Sequence, residues 1–103
     1  MGRAVDFQYL EMFAAGDSTV VRDVLKLFLD QAKAWEIGLG RPHDGWRDLV
    51  HTIKGTARGV GAGPLGDLAE LAEREGPQVS EDVRLELAAA VAEVEEYLAG
   101  SAP

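Results

Sequence analysis

Cysteine is absent from the 103 residues, and both proline, with four, and aromatic residues, at 7%, are sparse. The missing cysteine excludes a disulfide framework, a cysteine-based zinc site and a thiol nucleophile. With two histidines and no dense carboxylate cluster, a metal site is not expected. Basic residues are also in short supply: 10 Lys and Arg stand against 18 Asp and Glu, a formal net charge of −8. So acidic a chain is a poor partner for nucleic acid, whose phosphates need clustered cations. Long apolar runs are lacking too. Nothing approaches the roughly 20 residues of a membrane span, the N-terminus has no signal-peptide pattern, and Asp6 stands where a myristoylation signal after Gly2 wants Ser or Thr. The expectation is a cytoplasmic protein with no nucleic-acid or membrane partner.

What is present reads as one globular unit. A hydrophobic content of 47% with 27% charged residues is that of a folding chain, and the length leaves room for one core, so residues 1–103 are expected to form a single domain. Strand signals are nearly absent and helical periodicity is nearly everywhere. A short helix from about Val5 to Ala15 carries Phe7, Leu10 and Ala14 on one face, with Phe13 beside them. Gly16 closes it, and Asp17 or Ser18 caps a second helix from about Thr19 to Ile37, striped by Val21, Val24, Leu25, Phe28, Ala32 and Trp35.

Gly38, Gly40 and Pro42 then break the chain, and Asp44 is placed to cap a third helix, about Gly45 to Val60. After the Gly61-Ala62-Gly63 turn, Pro64 suits the first turn of a fourth helix whose Leu65, Leu68, Ala69 and Ala72 face inward. Gly76 and Pro77 end it, Ser80 is placed to cap a fifth helix, and Val83, Leu87, Ala90, Val91, Val94, Tyr97 and Leu98 form its stripe. The tail Gly100 to Pro103 is expected to fray. The architecture expected is all-α: an antiparallel up-down four-helix bundle with an additional short N-terminal helix.

The third helix holds the unusual chemistry. An α-helix turns by ~100° per residue. With His51 at zero, Lys54 lies ~60° to one side, Gly55 ~40° to the other, Arg58 and Ala62 ~20° away and Gly59 ~80° away at the rim. Leu49, Val50, Ile53, Ala57 and Val60 face the opposite way. The helix that buries Ile53 therefore holds His51 toward water, beside a cation and among glycines. Imidazole has a reference pKa of roughly 6.5, so much of it is a neutral nucleophile at neutral pH. Attack on phosphorus gives a phosphoramidate, an energetic bond, and Lys54, one turn along, is placed to stabilise the phosphoryl charge, with Arg58 as an auxiliary cation. Each glycine inside a helix costs about 1 kcal/mol against alanine. Their retention at positions 55 and 59 favours a low surface that a partner can approach closely, to which Ala62 would add.

His51-Thr52-Ile53-Lys54-Gly55, followed by Gly61-Ala62 and a leucine-containing helix through Glu73, resembles the histidine-containing phosphotransfer (HPt) domain of phosphorelays. The resemblance is close from about Trp46 to Glu73 and a matter of pattern in the flanking helices. It implies a four-helix bundle whose histidine accepts a phosphoryl group from a receiver-domain aspartate and passes it to another receiver, without autonomous kinase activity. It makes His51 the phosphorylation site, Lys54 the stabilising cation and Gly55 the clearance position, with Gly59 and Ala62 read as further partner-binding positions. Partners would be response-regulator receiver domains and a hybrid sensor histidine kinase. The chain would need no cofactor of its own, Mg²⁺ being expected on the receiver, and would act as a monomer.

The alternative is a non-catalytic helical adaptor that binds a receiver or other protein with His51 chemically idle. His43, in a Gly/Pro loop, reads as incidental, and Glu93, Glu95 and Glu96 as a solvent face. Val20, Leu27 and Ala34 share an off-stripe side of the second helix, either packed on the first helix or joining a docking surface.

Overall fold

The computed structural model describes residues 3–41 and 43–100. Helix α1 spans Phe7–Phe13, α2 Ser18–Leu39, α3 Trp46–Gly59, α4 Gly63–Glu75 and α5 Ser80–Gly100, with a single 3-10 turn, Pro77–Val79, before α5. Among the described residues there is no strand, and no helix is long and apolar enough to cross a membrane. The four long helices form an up-down bundle and α1 adds the short N-terminal helix.

The stripes legible in the sequence are the core. Val21, Leu25, Phe28, Ala32 and Trp35 of α2, Trp46, Val50, Ile53 and Ala57 of α3, Leu65, Ala69 and Ala72 of α4, and Val83, Leu87, Ala90 and Val94 of α5 are all buried. Val24, Leu68, Val91, Tyr97 and Leu98 pack at its edge. Each large apolar side chain so enclosed contributes about 1.5–3 kcal/mol. The helix directions follow from side-chain pairs: Arg22, early in α2, donates to the carbonyl of Leu98, late in α5, and α3 descends against α4, with His51 meeting Glu73 and Arg58 meeting Asp67.

Several local expectations change. Helix α1 begins later than expected, because Asp6 accepts from the Tyr9 N–H as its N-cap. Ala4 and Val5 are buried but not helical; their N–H groups donate to the two carboxylate oxygens of Glu93 at 2.9 and 3.0 Å. Glu93 is therefore not merely part of a solvent face. Phe13 is 78% exposed, not packed beside Leu10, because the chain leaves the helix at once through Ala15 and Gly16, both at positive φ.

Asp17, not Ser18, caps α2, accepting from Thr19 and Val20. Gly38 does not break α2; it lies inside it, where a Cβ would come within 2.7 Å of Leu49 Cδ2. Glycine there lets α3 approach. Gly40 is the C-cap, and the expected break at Pro42 lies outside the described residues.

Asp44 does not cap α3. Gly45 occupies the cap without a side-chain bond, because the ring of His43 organises this turn: its Nδ1 accepts from the Gly45 N–H at 3.1 Å and its Nε2 donates to the Gly38 carbonyl at 3.2 Å. His43 is a structural bridge between α2 and α3, not an incidental loop residue. The Ser80 hydroxyl accepts from Trp46 Nε1 at 2.7 Å. Gly100 is the last residue of α5; the rest of the expected frayed tail lies outside the described residues.

Candidate functional site

His51 sits in the second turn of α3 with 68% of its side chain exposed. The buried stripe sets that direction: Val50 and Ile53, on either side of it in sequence, are fully enclosed. Its Nδ1 lies 2.9 Å from Oε2 of Glu73 on α4, and the other oxygen of that carboxylate, Oε1, lies 2.6 Å from Lys54 Nζ. One carboxylate thus joins the nucleophile to its cation.

The electrostatics assign the proton. The Lys54 ammonium, and secondarily the bond from His51, hold Glu73 below the ordinary carboxylate value of 4.5 although desolvation opposes them. An ionised carboxylate only accepts hydrogen bonds. Nδ1 therefore carries the hydrogen, and in the neutral ring Nε2 carries the lone pair. Lysine has three donors, so Lys54 can keep Glu73 and still face a phosphoryl oxygen.

Gly55 and Gly59 are exposed, and a Cβ built on either meets nothing within 4 Å. Nothing inside this molecule requires glycine there. The contrast is Gly61, at φ 88°, where a Cβ would come 2.6 Å from the Asp6 carbonyl oxygen. On the helical wheel both helix glycines lie on the α2 side of His51, whereas Lys54 lies on the α4 side.

Ala62 is not part of this surface. It is fully buried: α3 ends at Gly59, and the backbone turns through Val60 and Gly61, so the helical wheel does not continue to position 62. Arg58 lies two turns from His51 on the same helix. Its guanidinium is held by Glu70 at 3.3 Å and Asp67 at 3.2 Å, and it lies over Gly66, where a Cβ would come 2.7 Å from its Cγ. These bonds direct it along α4. The residue that sequence reasoning missed is Glu73. The available signal was its place at the edge of the inward face of α4, four residues beyond Ala69; what it touches is set by another helix.

The His51 ring stands out from the α3 face, its side chain 68% exposed. A groove of about 790 Å³ exists elsewhere, between α1 and the α3–α4 turn, lined by Phe7, Tyr9, Arg58, Gly61 and Pro64 among others, and His51 does not line it. Among the described residues no group of three or more His, Asp or Glu side chains is arranged to hold a metal. A raised imidazole on an open helix face suits a macromolecular partner better than a small molecule, which needs enclosure.

No curated protein matches the chain. Among solved structures, the histidine phosphotransferase ShpA from Caulobacter crescentus is similar at 48% identity and a TM-score of 0.81, over 94% of this chain and 92% of that one. The family described as the Hpt domain matches residues 8–97, a stretch that takes in the exposed histidine, its carboxylate, α2, α3 and α4 and all of α5 but its last three residues. By fold, by sequence and by the extent of that match, the chain belongs to the Hpt domain family.

Proposed function

We propose that His51 is the phosphorylation site of a phosphorelay carrier, accepting a phosphoryl group from a receiver-domain aspartate and passing it to another receiver. The observation that carries this reading is the exposed imidazole whose Nδ1 is bound to a carboxylate that is itself paired with Lys54. In the forward step the Nε2 lone pair attacks the phosphorus of an aspartyl phosphate. The N–P bond forms as the acyl P–O bond breaks, and its electron pair leaves on the receiver's aspartate. No proton needs to move: Nδ1 keeps its hydrogen, the phosphorylated ring becomes cationic, and Glu73 balances that charge. In the onward step a receiver carboxylate attacks phosphorus and the N–P pair returns to Nε2. Phosphoryl transfer of this kind rests on positioning and charge stabilisation, which Lys54 supplies on this side and Mg²⁺, bound by the receiver, on the other.

The receiver docks, on this reading, over α3 and the adjoining flank of α2. With Gly38 marking the side of α2 that meets Leu49 of α3, Val20, Leu27, Gln31 and Ala34 lie within ~40° of the same line. Val20 and Leu27 are 44% and 58% exposed, and Ala34 is exposed as well. Val20, Leu27 and Ala34 give this flank of α2 an exposed apolar strip interrupted by Gln31, and Gly55 and Gly59 keep the α3 surface facing it low. The partners are response-regulator receiver domains, one of them carried by a hybrid sensor histidine kinase. The protein works as a cytoplasmic monomer with no kinase activity of its own.

The test is intact mass at neutral pH after incubation with a panel of phosphorylated receivers and Mg²⁺. One acid-labile phosphoryl adduct is expected, absent in His51→Gln. An adduct that persists in that variant refutes the site; binding without any adduct establishes the adaptor instead.

A further inference from the structure

The C-terminal turn of α4 presents a backbone problem. In a continuing helix the carbonyl of Glu73 accepts from the amide four residues on. That residue is Pro77, which has no N–H, and Gly76, at φ 108°, has already turned the chain away. Two other carbonyls of this turn have partners of their own: Ala72 accepts from the Gly76 amide, and Glu75 accepts from the Gln78 side chain. The Glu73 carbonyl receives its hydrogen bond from another helix, from the guanidinium of Arg47.

Arg47 stands one turn before His51 on α3, ~40° from it around the helix. Arg47, His51 and Lys54 therefore all converge on one residue of α4, through the Glu73 carbonyl oxygen, Oε2 and Oε1 respectively. The last turn of a helix frays unless its orphan carbonyls are satisfied. A carboxylate that sets the tautomer of a nucleophile needs a fixed backbone beneath it.

We infer that Arg47 is a positioning residue of the phosphoryl site, clamping the end of α4 so that Glu73 holds His51 Nδ1–H and leaves Nε2 free to react. The inference deepens the phosphotransfer reading and rests on it for its role in transfer, but its structural half is testable on the resting protein. Arginine's several donors bridge two helices while the stem lies over the surface. Methionine keeps the stem without a donor, and lysine restores one.

The experiment is ¹⁵N NMR of the His51 ring in the full, unphosphorylated chain, paired with the rate of phosphoryl acceptance from a phosphorylated receiver. Arg47→Met is expected to move the ring from the Nδ1–H tautomer toward a mixture and to slow acceptance by roughly 3- to 10-fold, the size of one net hydrogen bond, with helical content unchanged. Arg47→Lys recovers most of both. In a Glu73→Ala background, Arg47→Met adds nothing further, because it acts only through Glu73. A wild-type tautomer in Arg47→Met overturns the inference, as does a rate effect that multiplies with Glu73→Ala, which would mean direct contact with the phosphoryl group or the receiver. If the tautomer responds as expected and no variant accepts phosphate, the positioning stands and the phosphotransfer reading fails.

Discussion

At the scale of single residues, Glu73 does two jobs with one charge: it fixes which nitrogen of His51 is protonated and it holds Lys54 in reach. Its depressed pKa has a consequence for stability. A carboxyl group stabilised as an anion in the folded state contributes stability that is full above its unfolded pKa and is lost as pH falls through the folded value. With an ordinary value of 4.5 and a downward shift, that contribution is intact at neutral pH and disappears in acid below 4.5. Urea unfolding of the wild type and Glu73→Gln should therefore show the wild type ahead at pH 7 and the two converging as pH falls below 4.5. A difference that does not shrink at all in acid would contradict the pairing. Glu73 was hard to read from the chain because its partners, His51 22 residues away and Lys54, lie on another helix, and helical periodicity reports burial, not what an edge residue meets. His51 was legible for the opposite reason: its exposure follows from its own helix. Arg58 and Ala62 show the limit of that wheel, one diverted by carboxylates on α4 and the other carried inward once the helix had ended.

At the scale of elements, α3 trades helix stability for access. Both Gly55 and Gly59 lie where a side chain would meet nothing in this molecule, so replacing either should leave the fold intact and raise helix stability by up to about 1 kcal/mol. Gly55→Leu is thus expected to melt no lower than wild type while receiver affinity, measured by calorimetry, falls at least tenfold, about 1.4 kcal/mol. Undiminished affinity would remove the clearance argument and the α2 strip with it. The helices themselves were legible wherever apolar residues recur at helical spacing, as in Val21-Leu25-Phe28-Ala32-Trp35. The departures come at their ends, where contacts remote in sequence decide. Burial of Val5 depends on Glu93, 88 positions away, and the start of α3 depends on a ring that reaches back to Gly38. Neither leaves a local pattern.

At the scale of the whole molecule, a net charge of −8 coexists with a basic spine on the reactive face, Arg47, Lys54 and Arg58 bracketing His51 on α3. Lys54 and Arg58 are paired with carboxylates of α4. The carboxylates of Glu73, Asp67 and Glu70 offset these cations, so the face around His51 is far less acidic than the chain as a whole. An imidazole held out from the α3 face, 68% exposed, can present one nitrogen to successive partners. That relay role needs more than phosphorylation. The decisive measurement is a chase: the protein is phosphorylated by one receiver, purified away from it at mildly basic pH, and mixed with a second, unphosphorylated receiver and Mg²⁺ while both intact masses are followed. The adduct is expected to leave His51 and appear on the receiver faster than it is lost without one. A phosphoryl group that stays on the protein until water removes it, whichever receiver is added, would contradict it.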